Sequence, residues 1–309
     1  QKSSKNQSAT SDILLLGFQG LSNYRLLLFP IFTIAYIFIL SGNVLIILVI
    51  VSNGLLHLPM YFFLCNLALS EIMSTTVIIP QMLQVLLRNG TLVSLYGCFT
   101  QLFFFGNFTV TESLLLTVMS YDRYLAICRP LHYSSMMPFW NCCYLSIICW
   151  TSSFLIVAVP LVFLSKLDFC GQVKVIDHFF CDIGPILHLS CSDTSKVIRV
   201  IYFLSPLSGL CPFLFIIVTY VSIIRSVMKI QSMSGKKKAF STCSSHLSVV
   251  STYFLTLYMV YLVPSSGNSL QVNKVLSLLY TIMTPLVNPF IYSLNNREIK
   301  VLISNKREN

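Results

Sequence analysis

Charge is scarce in this sequence. Asp, Glu, Lys and Arg together make up 10% of its 309 residues, whereas hydrophobic residues make up 55%. The mean hydropathy of +0.78 lies far above the average for soluble proteins. So few charged residues exclude an ordinary soluble domain, and the composition therefore indicates an integral membrane protein.

Motifs of common enzymes and nucleic-acid-binding proteins are also missing. The sequence contains no HExxH pair, no glycine-rich phosphate loop and no zinc-type spacing of cysteines and histidines. No basic stretch is interleaved with aromatic residues, so we assign the net charge of +10 to contacts with membrane lipid and to topology. We expect no enzyme activity, no nucleic-acid partner and no cofactor other than the sodium ion considered below.

Seven apolar stretches are long enough to cross a bilayer, which takes roughly 20 helical residues. They use most of the chain and leave no room for a separate soluble domain. We predict an all-α membrane protein: a seven-transmembrane helix bundle over residues 24–294, an extracellular tail over 1–23, and a short cytoplasmic tail over 295–309 that carries an amphipathic helix. The predicted segments are about Tyr24–Val51, Leu58–Leu87, Leu95–Cys128, Phe139–Leu164, Val197–Met228, Ala239–Val263 and Val272–Leu294.

The N-terminus is predicted to lie outside the cell and the C-terminus in the cytoplasm. Residues 1–11 are polar and are not followed by a short apolar region with a cleavage site, so we expect no cleavable signal peptide. Asn6-Gln7-Ser8 is a glycosylation sequon, and glycosylation of Asn6 would require an outside N-terminus. The lysines of residues 236–238 lie beside a helix end on the predicted inner side, which agrees with the positive-inside rule.

Four of the 11 cysteines fall on the predicted outer side. Cys98 lies at the outer start of the third segment, and Cys170, Cys181 and Cys191 lie in the loop between the fourth and fifth segments. An even number of cysteines in an oxidising compartment favours disulfides. Four cysteines can pair in three ways, and the residues alone do not choose among them.

Two acidic residues, Glu71 and Glu112, fall near the middle of the second and third segments, where a charge is costly. One interpretation is a sodium site, to which Ser113 and Asn288 would add oxygen ligands. The other is a pair of protonated carboxyl groups held by hydrogen bonds. Both interpretations describe a polar region at the centre of the bundle.

Charged and helix-breaking residues at the inner ends of the segments suggest a switch. Asp122 and Arg123 close the third segment, where a charged pair is best accommodated at the membrane–water boundary. Asn288 before Pro289 can satisfy a backbone group freed by proline, so the seventh segment carries either a hinge or a static kink. His246, one turn into the membrane, is either a packing residue or a latch to the third helix.

Several strings stand in a fixed order along residues 12–303, and together they resemble the olfactory receptors, a branch of the rhodopsin-like G-protein-coupled receptors. They are LHLPMY (56–61), MSYDRYLAICRPLHY (119–133), KAFSTCSSH (238–246) and PLVNPFIYSLNN (285–296). The resemblance implies a multi-pass receptor in the plasma membrane, in the cilia of olfactory sensory neurons. Its partners would be a small volatile or water-soluble odorant and a stimulatory olfactory-type G protein that raises cyclic AMP.

The resemblance also implies roles for individual residues. Cys98 would pair with Cys181 and Cys170 with Cys191, while Glu112 matches the acidic position usual in the third helix of the family. Arg123 would hold the inner face closed and then meet the G protein. The full set implied for switching and coupling is Asp122, Arg123, Tyr124, Tyr220, His246, Asn288, Pro289 and Tyr292.

An odorant cavity is predicted in the outer half of the bundle. Helical spacing from Phe105 through Thr109 to Ser113 turns one face of the third helix inward. An apolar lining with a few hydroxyls suits a small neutral ligand with at most one hydrogen-bonding group. The remaining predicted contacts are Leu204, Ser208, Phe254, Leu257, Tyr258, Tyr261 and Thr281.

Other membrane proteins fit the sequence less well. A transporter would show internal repeats, and seven crossings do not divide into equal halves. An amine receptor would need a carboxylate where this chain has Phe105, and a retinal pigment would need a lysine between Val275 and Leu294, where there is none. The alternative retained is a rhodopsin-like receptor for a small molecule that is not an odorant.

Overall fold

The computed structural model describes residues 12–170, 174–263 and 269–295. Seven helical spans in it are long and apolar enough to cross a membrane, which confirms the predicted bundle. The orientation across the membrane stays a prediction. Asn6 and the predicted amphipathic helix of the tail lie outside the described residues, apart from the tail's first residue, Asn295.

Two of the seven spans are divided into shorter helices. The fifth span consists of α7 and α8, and the seventh consists of α10, a π-helical turn over Leu279–Met283, and α11. The helices are α1 (Arg25–Ser52), α2 (Pro59–Arg88), α3 (Leu95–Cys128), α4 (Pro130–Met136), α5 (Phe139–Leu164), α6 (Ile183–His188), α7 (Ser195–Ser208), α8 (Leu210–Met228), α9 (Met233–Leu262), α10 (Leu270–Leu278) and α11 (Thr284–Asn295). Short 3-10 turns cover Gln19–Tyr24 and Leu55–His57.

The fifth span is interrupted at Gly209, whose backbone is not helical (φ −121°, ψ −68°). Pro212 has no N–H, so the carbonyl of Ser208 lacks its ordinary helical donor. The hydroxyl of Ser113 on α3 donates to that carbonyl at 2.7 Å instead. Ser113, predicted as a sodium and odorant contact, is therefore engaged in bridging α3 to the break between α7 and α8.

Three short strands form a sheet on the predicted extracellular side: β1 (Asp12–Leu15), β2 (Thr91–Ser94) and β3 (Lys174–Ile176). β1 lies in the middle, antiparallel to β2 and parallel to β3. Ile13 and Leu15 are fully buried, as expected for alternate residues of a strand with one face on a core. The segment before α1, predicted only as a tail, thus packs onto the bundle.

Candidate functional site

The inner end of α3 carries the charged pair predicted from the sequence. Arg123 donates hydrogen bonds from Nε (2.9 Å) and from Nη2 to Oδ2 of Asp122, and Tyr133 of α4 donates to Oδ1 at 2.8 Å. Asp122 is buried, whereas 12% of the Arg123 side chain is exposed. Burial and the charge of Asp122 raise the pKa of Tyr133, which keeps its hydroxyl protonated. Sequence reasoning missed Tyr133, although it ends the string that contains Asp122 and Arg123.

A second contact on the inner side joins α8 to α9. The Tyr220 hydroxyl and Nδ1 of His246 are 2.6 Å apart, and the two rings are stacked at 14°. The predicted latch of His246 was to the third helix, and its imidazole also faces the backbone of Leu116 on α3. Tyr220 of α8 is an additional partner, because α8 and α9 are neighbours along the chain, joined only by residues 229–232. Tyr124, also predicted for coupling, is half-buried with its ring against Tyr121.

Both glutamates within the membrane spans are buried and accept hydrogen bonds from neutral side chains. The amide of Asn288 on α11 donates to Glu71 of α2. Ser74 of α2 donates to Glu112 of α3 at 3.2 Å. Instead of capping the kink at Pro289, the Asn288 amide thus joins the seventh span to α2. Sodium binding by Glu71 and Glu112 stays a prediction.

The seventh span packs closely on α1 at Pro289. A Cβ atom added at Gly42 would lie 3.0 Å from Cβ of Pro289, so a larger residue would push α1 away from α11. Tyr292 is buried near the end of the span, and its hydroxyl has no hydrogen-bond partner within the described ranges. The role of Tyr292 in switching stays a prediction.

Aromatic rings fill the outer half of the bundle around Phe105. The Phe105 ring lies 5.5 Å from that of Phe180 and 6.2 Å from that of Tyr280. The Tyr253 ring is 6.0 Å from Tyr280, and its hydroxyl donates to the carbonyl of Thr109 at 2.6 Å. These contacts join α3, α9, the π-helical turn and the loop between α5 and α7. The sequence suggested Phe105 and Thr109 but missed their aromatic neighbours, since spacing alone does not show which adjacent ring points inward.

A second aromatic group lies between α8 and α9. The Phe213 ring is 5.3 Å from Phe254 and 5.4 Å from Tyr258. The hydroxyl of Tyr258 is buried, and no residue in the described part of the chain forms a hydrogen bond with it. A buried hydroxyl without a partner is unusual and costs roughly 1–3 kcal/mol. It is therefore a candidate anchor for a ligand.

The other predicted odorant contacts differ in how far they face the interior. Leu257 is buried and Leu204 is half-buried, whereas Tyr261 is 73% exposed. The hydroxyl of Thr281 donates to the carbonyl of Ser277 in the preceding turn at 2.8 Å. Its hydrogen is thus already engaged within the helix, and Thr281 can offer a ligand only its oxygen lone pairs.

Two disulfides hold the loop between α5 and α7. Cys98 is bonded to Cys181, which ties the start of α3 to the loop, and Cys170 is bonded to Cys191 within the loop. These are the pairs that the resemblance implied. The backbone N–H of Cys181 also donates to Oε1 of Gln101 at 2.8 Å. The loop is therefore held over the outer end of α3 by a covalent bond and a hydrogen bond.

The family model for olfactory receptors matches residues 32–306. The chain belongs to the olfactory receptor family. It is 44% identical over 296 residues to Olfactory receptor 1G1 of Gorilla gorilla gorilla, covering 96% of this chain and 94% of that relative. It is 41% identical over 298 residues to Olfactory receptor 6Y1 of Homo sapiens, covering 96% of this chain and 91% of that relative.

The fold of the receptor is similar to that of squid rhodopsin. The crystal structure of that protein aligns with a TM-score of 0.74 over 92% of this chain and 85% of the other, at 20% sequence identity. At that identity the likeness shows the fold alone. Together with the family, it makes the chain a multi-pass receptor of the plasma membrane, in a class of G-protein-coupled receptors that is not enzymatic.

His178 lies buried in the loop between α5 and α7. Its ring is 4.6 Å from the rings of both Phe179 and Phe180. Burial, and to a lesser degree the charge of Lys274, lower the pKa of His178 to about 3. Neither ring nitrogen has a hydrogen-bond partner in the segments that the structure describes. The imidazole is therefore neutral in the folded receptor near neutral pH.

We expect the folded receptor to lose stability in acid. The unfolded chain protonates His178 below its ordinary pKa of 6.5, whereas the folded receptor does so only near pH 3. Stability is thus full above pH 6.5 and falls as the pH drops below it, by about 1.4 kcal/mol per unit, or about 2 kcal/mol at pH 5. The melting temperature of purified receptor at several pH values measures this. His178→Gln should flatten the dependence, and an unchanged slope in that variant would contradict the assignment.

Proposed function

We propose that the receptor binds a small, mostly apolar odorant in the outer half of the bundle and activates a stimulatory olfactory-type G protein, which raises cyclic AMP. Family membership supports the receptor class. The observation that carries the proposed location is the buried hydroxyl of Tyr258, which has no partner in the described chain and lies among the rings of Phe213 and Phe254.

The chemistry of the surrounding side chains supports a neutral ligand. Phe105, Phe213, Phe254 and Leu257 contribute apolar surface, and Tyr258 contributes a hydroxyl that both donates and accepts. None of these side chains carries a charge, so a charged ligand would lose its hydration without gaining an ion pair. An odorant with an apolar body and one oxygen atom satisfies both the rings and the hydroxyl.

The contacts of α9 supply a route from the odorant to the inner face. Tyr253 bonds α9 to α3 in the outer half, and the hydrogen bond between Tyr220 and His246 joins α9 to α8 on the inner side. An odorant that binds better when α9 has moved outward favours that state. Shifting a population from 1:99 to 99:1 needs a difference in binding free energy of about 5.5 kcal/mol between the two states.

Cyclic AMP measured in cells that express the receptor with a stimulatory olfactory G protein tests the proposal. We expect a dose-dependent rise with some members of a panel of small neutral volatiles. Cells expressing the G protein alone provide the control. Silence across the panel, with the receptor shown at the cell surface, would contradict the odorant class. A response through a different G protein would contradict the proposed coupling.

Tyr258→Phe should weaken the response to odorants that carry an oxygen atom. The substitution removes one hydroxyl and keeps the ring, so it removes one hydrogen bond, which corresponds to about a 5- to 10-fold higher half-maximal concentration. Responses to hydrocarbon odorants should stay unchanged. Tyr202→Phe is the matched control, because Tyr202 of α7 is 74% exposed. An equal loss for both odorant types would point to packing rather than to an anchor.

A further inference from the structure

A buried lysine lies at the outer end of the seventh span. The side chain of Lys274 on α10 is 1% exposed, and its Nζ is 2.6 Å from Oδ1 of Asp177 and 2.9 Å from the backbone carbonyl of Gly17. An ammonium group is rarely buried without partners, because it loses its hydration. The two acceptors therefore determine where this side chain can lie.

The three groups come from parts of the chain that are far apart in sequence. Gly17 follows β1, Asp177 follows β3, and Lys274 belongs to the seventh span. Asp177 is 97 residues from Lys274, and Gly17 is 257 residues from it. The lysine thus joins the segment before α1 and the extracellular loop to the bundle at one point.

The backbone around Gly17 is built for this contact. Gly17 has a φ of +67°, and a Cβ atom there would lie 2.3 Å from Cγ1 of Val85, so only glycine fits. Its N–H donates to the carbonyl of His178 at 3.1 Å. That bond continues the pairing of β1 with β3 beyond the last strand residue and brings the Gly17 carbonyl beside the loop that contains Asp177.

Aromatic rings connect this junction to the proposed odorant site. Phe18 stacks on Phe179 with centroids 5.1 Å apart, and Phe179 lies 5.0 Å from Phe180. The Phe180 ring in turn lies 5.5 Å from that of Phe105. The segment next to Gly17 and the loop next to Asp177 thus form a lid whose innermost ring touches a residue of the proposed site.

We propose that the contacts of Lys274 with Asp177 and with the Gly17 carbonyl form a latch that keeps this lid closed over the odorant site. Odorant exchange from the extracellular side then requires the latch to open. The function of the latch rests on the proposed odorant site, whereas its existence does not. It can therefore be tested without any odorant.

The rate at which a buried cysteine one turn from Lys274 reacts with a membrane-impermeant thiol reagent tests the latch. Ser277 is buried on α10 one turn from Lys274, so Ser277→Cys in the full receptor on intact cells places a thiol there. Labelling should be slow with Lys274 present and at least about 10-fold faster in Lys274→Met, which loses charge-assisted hydrogen bonds. Lys274→Arg, which keeps the charge and the donors, should label about as slowly as the parent. The receptor with native Ser277 gives the background.

A second variant distinguishes opening of the latch from misfolding of the receptor. Asp177→Asn keeps the shape of a side chain that is 33% exposed and removes only its charge, so it should reach the surface and label at an intermediate rate. Equal labelling rates for the parent, Lys274→Met and Asp177→Asn would overturn the latch. Retention of both variants inside the cell, with normal delivery of Lys274→Arg, would overturn it as well, since the ion pair would then be needed for folding. A latch without an odorant response would leave the lid intact and refute only the proposed function.

Discussion

Arg123→Ala should abolish G-protein signalling while the receptor still reaches the cell surface. The guanidinium is paired with Asp122, and only 12% of the side chain is exposed. After its loss Asp122 keeps the hydrogen bond that it accepts from Tyr133, so we expect the variant to fold. The charge and five donors of Arg123 are what a partner at the inner face can recognise. We expect the odorant response to fall at least about 100-fold, as for loss of a charged contact at the centre of an interface.

Arg129→Ala is the matched control. Arg129 follows α3 in the same string, but it is exposed and forms no ion pair within the described residues. Its loss should change the response less than about threefold, as for a cation at the rim of an interface. Cyclic AMP and surface staining measured on the same cells separate signalling from delivery. A normal odorant response in Arg123→Ala would exclude it from the coupling surface.

Substitutions that weaken the contacts around Asp122 should raise signalling rather than abolish it. Asp122→Asn and Tyr133→Phe each weaken the arrangement that holds Arg123, because the carboxylate accepts from both side chains. We expect higher cyclic AMP without odorant in both variants, with the larger rise in Asp122→Asn, which also removes the charge. Lower basal activity in both would mean that the pair supports the active state instead.

The seven spans were predictable because the lipid bilayer imposes them, whatever contacts the helices make with one another. Each backbone group in lipid needs an internal hydrogen bond, so a long apolar run has to be a helix. The interruption at Gly209 follows a different rule. Pro212 predicts a free carbonyl on Ser208, but the donor that satisfies it, Ser113, lies 95 residues away. Which side chain fills such a gap depends on how the helices pack.

Lys274 shows the same limit at the other end of the bundle. The predicted seventh segment, about Val272–Leu294, places it at that segment's first turn, and nothing near it in sequence indicates an acceptor for its charge. Its acceptors follow β1 and β3, which are too short to show a strand pattern. Once β1 is placed between β2 and β3, the Gly17 carbonyl and Asp177 converge on one point. The burial of Lys274 is therefore a consequence of tertiary pairing.

The contacts at the inner face were predictable in part. The string MSYDRYLAICRPLHY indicated a switch at Asp122 and Arg123, and the structure brings Tyr133 of the same string to the pair. His246 was assigned a hydrogen bond to the third helix; its imidazole faces the backbone of Leu116 there, and the structure adds Tyr220 of α8 as a partner. Residue type predicts that a buried imidazole needs a partner, while the choice of Tyr220 depends on the depth at which α8 and α9 face each other.

Cys98→Ser should trap the receptor inside the cell. Cys98 and Cys181 are fully buried, and their bond closes a loop with a sequence separation of 83 residues. Closing a loop of this length stabilises the folded chain by about 4.5 kcal/mol in the chain-entropy model, a large part of the stability of a typical domain. Without the bond, the loop that carries Phe180 is no longer tied to α3. We expect at least a 10-fold loss of surface receptor.

Loss of the second disulfide should have a smaller effect on surface delivery. Cys170 and Cys191 are exposed, and their bond closes a separation of 21 residues, for which the same model gives about 3.3 kcal/mol. Cys170→Ser should therefore reduce delivery less than Cys98→Ser, and Cys211→Ser, which removes an unbonded thiol, should not reduce it at all. The double variant Cys98→Ser/Cys181→Ser excludes mispairing of a freed thiol as the cause. Surface staining of an N-terminal tag, normalised to total receptor, measures all four. The buried bond ties the loop to α3, whereas the exposed bond only closes a stretch within the loop. Equal losses of surface receptor in both single variants would therefore mean that delivery depends on the number of disulfides and not on the attachment of the loop to α3.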